Sequence, residues 1–237
     1  MVRRMKTRSG RQTRPPGYLS DYEIKTYLQV RICDPEAFRG ERPDTKWMTF
    51  GIVWADATQS ITTGRIEVGK PKMYFLIDVV DEVIRRGHVI KTSHMYKMLK
   101  FLAEGTPVTL AQLLEKMGTS VTYLMHNAEA DMQALRNTCE FMNVEFPPIK
   151  YKCTKRFIED TYRDALVHDY EGENSVPFMD TRLESLYKWS TNNPRFVQSH
   201  MGSEDVSLLH KSLERIASKF DKDLIRNLIH YTPGCTS

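Results

Sequence analysis

Between residues 24 and 80 the apolar side chains recur with the two-residue period of a strand, and beyond residue 93 most recur with the period of a helix. That change of period constrains the fold more than any other feature of the chain. IKTYLQVRIC (24–33) alternates and is rich in β-formers, and WMTFGIVWAD (47–56) and KMYFLIDVV (72–80) read as two further strands. The three suit an antiparallel meander with a polar hairpin at TQSITTG (58–64). Helical spacing follows in SHMYKMLKFLAEG (93–105) and in TLAQLLEKMG (109–118), where Thr109 is the expected N-cap. VTYLM (121–125) and IKYKCT (149–154) are short strand-like runs on either side of a strongly amphipathic segment, AEADMQALRNTCEFM (128–142). Residues 160–180 are polar and weakly patterned, which reads as a loop or an insertion. TRLESLYKWS (181–190), SEDVSLLHKSLERIASKF (203–220, with Ser203 as N-cap) and a last short helix within DKDLIRNLIHY complete the chain. Leading strands followed by alternating helix and strand imply an α/β fold, a mixed sheet flanked by helices. In such sheets, sites collect beyond the carboxyl ends of strands.

At 237 residues and 41% hydrophobic content the chain suits one good-sized core. No apolar run is long enough to span a bilayer, and the N-terminus has no apolar signal segment. The expected setting is therefore intracellular, cytoplasmic or nuclear, with no membrane partner. Cys33, Cys139, Cys153 and Cys235 are scattered without a C-x-x-C pair, so neither a zinc site nor a disulfide framework is indicated. The net charge of +4 is unevenly spread: Arg3, Arg4, Lys6, Arg8, Arg11 and Arg14 fall in a stretch without an acid. Residues 1–20 are expected to be a disordered basic arm, 21–232 the folded domain and 233–237 a tail. The arm could neutralise phosphates, act as a nuclear import signal or simply solubilise the chain.

Acids and histidines cluster at three element boundaries. Asp34 and Glu36 follow the first strand, and in extended backbone residues i and i+2 share a face. Adjacent carboxylates repel unless a cation lies between them, and Mg²⁺ accepts such ligands. Asp-Pro-Glu is equally a good helix start. Asp131 lies with Glu129 in the first turn of a helix, where acids complement the dipole, and His126-Asn127 could be ordinary capping groups. In QSHMGSEDVSLLHKSL, capping accounts for Ser203 and Glu204 but not for His200 close to the same helix start as Asp205.

The order of these blocks resembles the DEDDh branch of the DnaQ-like 3′-5′ exonucleases, whose fold is RNase H-like. That family carries a D-x-E strand end, an H-N-A-x-x-D-x-x-x-L block, and an H-x-x-x-x-D block that opens a helix. The matching stretches are Asp34-Pro35-Glu36, then His126-Asn127-Ala128 through Asp131 to Leu135, then His200 through Asp205. LESLYKWS stands where the family has a leucine-rich helix, and the resemblance spans roughly residues 24–220. No Tyr-x-x-x-Asp occurs in the third block, which disfavours the tyrosine branch.

The resemblance implies that Asp34, Glu36, Asp131 and Asp205 hold two Mg²⁺ or Mn²⁺ ions. His200 would be the general base that takes a proton from the attacking water. His126 and Asn127 would order the backbone rather than ligate. The implied reaction releases nucleoside 5′-monophosphates from single-stranded 3′ ends of DNA or RNA, with Phe38 either stacking on a base or lying in the core. Ala37-Phe38 replaces the usual Thr or Ser, Pro35 removes a backbone donor, and Ala130 stands where a bulky apolar residue is common. These departures keep two alternatives open: a non-catalytic nucleic-acid-binding protein on the same fold, or an unrelated α/β protein whose capping acids mimic the motifs.

Overall fold

The computed structural model describes residues 27–40, 46–169 and 175–233. The basic arm, residues 24–26 of the first expected strand, Cys235 and the tail beyond residue 233 lie outside the described residues. The first long strand, β1 (Tyr27–Phe38), pairs antiparallel with β2 (Met48–Ser60), which pairs with β3 (Ile66–Val68) and β4 (Lys72–Leu76). The remaining strands, β5 (Thr106–Val108), β6 (Thr122–Met125) and β7 (Lys150–Cys153), join in parallel. The sheet order is β5-β4-β2-β1-β6-β7, with β3 off this path beside β2. The expected antiparallel meander is thus β1, β2 and β4, and the mixed α/β sheet flanked by helices is present.

Helices cover the sheet. The first three are α1 (Ile77–Arg85), α2 (Thr92–Glu104) and α3 (Leu110–Met117). Then follow α4 (Ala128–Met142), α5 (Thr154–Thr161) and α6 (Arg163–Val167). The chain ends with α7 (Leu183–Thr191), α8 (Gly202–Lys219) and α9 (Leu224–His230). Both α4 and α8 pack on β1 and β2. The core beneath them includes the fully buried Ile32, Phe38, Phe50, Ile52, Trp54 and Tyr123. No helix among the described residues is long and apolar enough to cross a membrane.

Four local expectations are corrected. The strand expected over 72–80 ends at Leu76, and residues 77–80 open α1. Val79, Val80, Val83 and Ile84 look like strand residues, but Val79 and Val83 repeat at helical spacing and are buried. The loop expected over 160–180 begins with helix: Phe157, Ile158, Tyr162 and Leu166 bury one face of α5 and α6, among charged neighbours that dilute the pattern. Asp34 and Glu36 do not follow β1 but lie inside it, so the helix-start reading of Asp-Pro-Glu is excluded. β1 pairs with β6 only at Arg31 and Ile32, so Pro35 falls where one side of the strand has no ladder for its missing N–H to interrupt. Finally, Ser203 does not cap α8. The N-cap position is Met201, and Glu204 reaches back to accept the Ser199 backbone N–H at 2.8 Å. Thr109 does cap α3, through a full capping box with Gln112.

The β1–β2 register shifts between Glu36 and Ala37, where Glu36 faces Gly51 and Ala37 faces Thr49, leaving Phe50 as the extra residue of a bulge. The freed Thr49 N–H is taken up by the buried Thr138 hydroxyl of α4 at 2.8 Å, and that hydroxyl donates to Ala134 O at 2.8 Å. This bond ties α4 to the strand pair beside Glu36. Thr138→Val keeps the shape and strands the Thr49 N–H, so equilibrium urea unfolding should show a loss of about 1–3 kcal/mol. An unchanged midpoint would mean that the bulge is held by packing alone.

Candidate carboxylate site

The alternation of β1 aims Asp34 and Glu36 at one face, as their spacing required. The start of α8 adds Asp205, which is buried in its first turn. One oxygen each of Asp34, Glu36 and Asp205 can lie within 4.8 Å of the other two. Close approach of α8 depends on Gly202. A Cβ there would come 2.8 Å from Val53 Cγ2 and 3.3 Å from Asp34 Oδ2. The Gly202 N–H at the helix start also favours the charged form of Glu36.

Asp131 joins from α4, just past the end of β6, and its charge acts on Asp34. It is not one of the three residues whose oxygens converge within 4.8 Å. Burial, and then the charges of Glu36 and Glu129, push the Asp131 carboxyl up to about 7, partly opposed by the Asn127 backbone N–H. Burial is also the first cause that raises Asp34, Glu36 and Asp205. Asp34 is raised well above its ordinary value, first by burial and then because Glu36, Asp205 and Asp131 all repel its charge.

His126 has a different task. Its Nε2 lies 2.6 Å from the Thr181 carbonyl, to which it can only donate, and Nδ1 lies 3.1 Å from the Thr154 hydroxyl. Burial lowers its pKa to about 4, so the ring is neutral. It pins the end of β6 to the start of α5 and to the segment before α7. His200 is exposed on the loop before α8, with a left-handed backbone (φ 54°) that is uncommon outside glycine. Its charge acts on Asp205 and Glu184. Phe38 is fully buried, with its ring 6.2 Å from that of Phe50. It is a core residue and cannot stack on a base.

Three residues at the site went unread in the sequence. Gln198 Nε2 donates to Asp205 Oδ1 at 2.6 Å. Gly202 admits the helix. Lys97 of α2 places Nζ 2.9 Å from Glu36 Oε2. For Lys97 a signal existed: it stands four residues before the buried Phe101, on a side of α2 where an apolar side chain is the rule. Beside the carboxylates a cavity of about 560 Å³ is lined by Asn127, Lys155, Arg182, Lys188, Gln198 and His200, among others.

No family sequence model matches the chain, and no curated protein sequence does. Solved structures do. The nuclease domain of 3′hExo, a DEDDh family member bound to rAMP, is 15% identical with a TM-score of 0.56, over 84% of this chain and 96% of that one. E. coli exonuclease I in complex with an oligonucleotide is 14% identical with a TM-score of 0.52, over 85% of this chain and 43% of that one. Cell-death related nuclease 4 (CRN-4) is 10% identical with a TM-score of 0.51, over 79% of this chain and 63% of that one. The sheet order, the helices around it and these likenesses together show that the chain has the DnaQ-like fold of the DEDDh 3′-5′ exonucleases.

Proposed function

We propose that this chain is a metal-dependent 3′-5′ exonuclease that hydrolyses single-stranded DNA or RNA from the 3′ end and releases nucleoside 5′-monophosphates. The observation that carries this reading is the convergence of Asp34, Glu36 and Asp205 within 4.8 Å, from parts of the chain far apart in sequence, with the raised Asp131 carboxyl beside them. Glu36 Oε1 is buried and accepts no hydrogen bond, which suits an oxygen that serves a cation. An all-carboxylate donor set suits Mg²⁺ or Mn²⁺ rather than softer ions. Asp34, Glu36, Asp131 and Asp205 would hold two such ions. Such ions would supply positive charge against the phosphodiester.

The chain's own groups do the rest. His200 takes the proton of the attacking water and, being exposed, passes it to solvent. Gln198 holds one Asp205 oxygen and leaves the other to the pocket. Lys155, Arg182 and Lys188 along the adjacent cavity attract the phosphates of the strand, although Arg182 and Lys188 also pair with Asp180 and Glu184. Phe38, in the core, takes no part in stacking on a base. The nucleotide and oligonucleotide in the similar structures support a nucleic-acid substrate.

Asp131→Asn and His200→Ala should each lower cleavage of a labelled single strand with Mn²⁺ by at least about a hundredfold while leaving the circular dichroism unchanged. The wild type should give a ladder that shortens from the 3′ end. A strand that is shifted in a gel but stays intact would instead support the non-catalytic binder.

A second prediction concerns pH. Asp131 has an ordinary value of 3.8 and about 7 in the fold, so between these values the metal-free fold binds more protons than the unfolded chain. Its contribution to stability is full below about pH 4 and is lost as pH rises through about 7. Ions compete with those protons, so the rise in Tm on adding millimolar Mn²⁺ should be larger at about pH 8 than at about pH 5. Equal shifts at both pH values would argue against ions among these carboxylates.

A further inference from the structure

α2 buries one side and leaves the other bare. Met98 and Phe101 enter the core, where the Phe101 ring meets Phe50 edge-on with centroids 5.3 Å apart. Met95, Tyr96, Leu99 and Leu102 are between 48% and 72% exposed. Thr92 and Ala103, also exposed, extend them at either end. Together these six positions follow the three- and four-residue steps of a single helical stripe. Isolated exposed apolar residues are ordinary, but four large ones within about two turns of one helix mark a surface that meets another. The stripe itself carries no charge. Lys91 at the start of α2 and Glu104 at its end are exposed, and neither is in an ion pair among the described residues.

The stripe is complementary to its own copy. Turned end for end about a two-fold axis through its middle, Tyr96 meets Leu99, Met95 meets Leu102 and Thr92 meets Ala103 of a second copy. Large side chains then face large ones, and small residues face each other at the ends. The same turn brings the Lys91 end of one α2 beside the Glu104 end of the other. Unlike charges approach there, and the opposed helix dipoles add to the attraction. A parallel pairing would instead set Lys91 against Lys91 and Glu104 against Glu104.

We propose that the exposed side of α2 is an interface between two copies of this chain, packed antiparallel about a two-fold axis. Such a dimer stands whether or not the carboxylates hold ions. One helix pair buries less than the roughly 1,600 Å² of a standard interface, so the dimer belongs to the weak class, with dissociation on the order of 10 µM.

Sedimentation equilibrium of the full chain between about 1 and 200 µM tests the surface. The wild type should pass from monomer to dimer over this range. Leu99→Glu should stay monomeric with unchanged circular dichroism, because Leu99 lies outside the core. Crosslinking tests the direction. Cys33, Cys139 and Cys153 are buried, so a Cys235→Ser background removes the remaining native thiol. In that background, Thr92→Cys and Ala103→Cys proteins should form disulfide dimers at least about tenfold faster when mixed than either does alone, because only these two positions of opposite copies come within bonding range. A wild type that stays monomeric throughout, a dimer that Leu99→Glu leaves unchanged, or either cysteine variant crosslinking with itself as fast as the mixture does would overturn the proposal. So would a monomeric wild type whose binding of a labelled single strand weakens in Leu99→Glu, which would assign this face to substrate.

Discussion

Carboxylates that share a buried pocket repel one another, and each resists losing its water. Asp34, Glu36 and Asp205 accept both penalties at once, with Asp131 close enough to add to them. A fold selected only for stability would place apolar side chains there, since replacing buried ionic groups by well-packed apolar ones is often neutral or stabilising. The protein instead spends several of its partly compensating devices on this one place. The N–H at the start of α8 faces Glu36, the Asn127 N–H favours ionised Asp131, Gln198 holds Asp205, and Lys97 pairs with Glu36. None of them removes the repulsion, because burial still raises all four carboxyls. What remains uncompensated is a demand for positive charge.

The sheet meets the geometric side of that demand. A strand sets two acids two residues apart on one face, a helix start sets a third against them, and a strand-to-helix junction adds the fourth. Each device is rigid in a different way. β1 is fixed by its long pairing with β2, and the bulge at Phe50 is held from α4 through Thr138. α8 can come close only because Gly202 has no side chain. The four carboxylates therefore sit on regular elements, whereas the exposed His200 sits on a loop.

How much of this was legible in the sequence depended on how local the cause was. β1 showed its alternation, β2 and β4 their runs of apolar β-formers, and α4 and α8 their helical stripes, because burial is written into residues a few positions apart. β3 and β5, three residues each, are too short to show a period. α1 follows β4 with no punctuating residue, so only tertiary packing decides where extension stops. Spacing within three blocks singled out Asp34, Glu36, Asp131, His200 and Asp205, and the structure gathers the oxygens of Asp34, Glu36 and Asp205. Gly202 meets Val53 and Asp34, and Lys97 meets Glu36 over a separation of 61 residues, so no short pattern names their partners, whereas Gln198 is near Asp205 in sequence but is not marked by any expected spacing. Phe38 shows the reverse error, since proximity in sequence to the acids suggested a role that its packing against Phe50 denies.

The two histidines of the blocks separate on the same physical ground. A ring can move protons at neutral pH only if both its forms are affordable where it sits. His126 is enclosed, donates to the Thr181 carbonyl and meets the Thr154 hydroxyl, and burial lowers it to about 4. Charging it would cost the surroundings more than neutral pH supplies, so it is a strut that fixes the end of β6 and with it the start of α4. His200 has solvent on its open side and the acids Asp205 and Glu184 within reach of its charge. Of the two, only His200 opens to solvent.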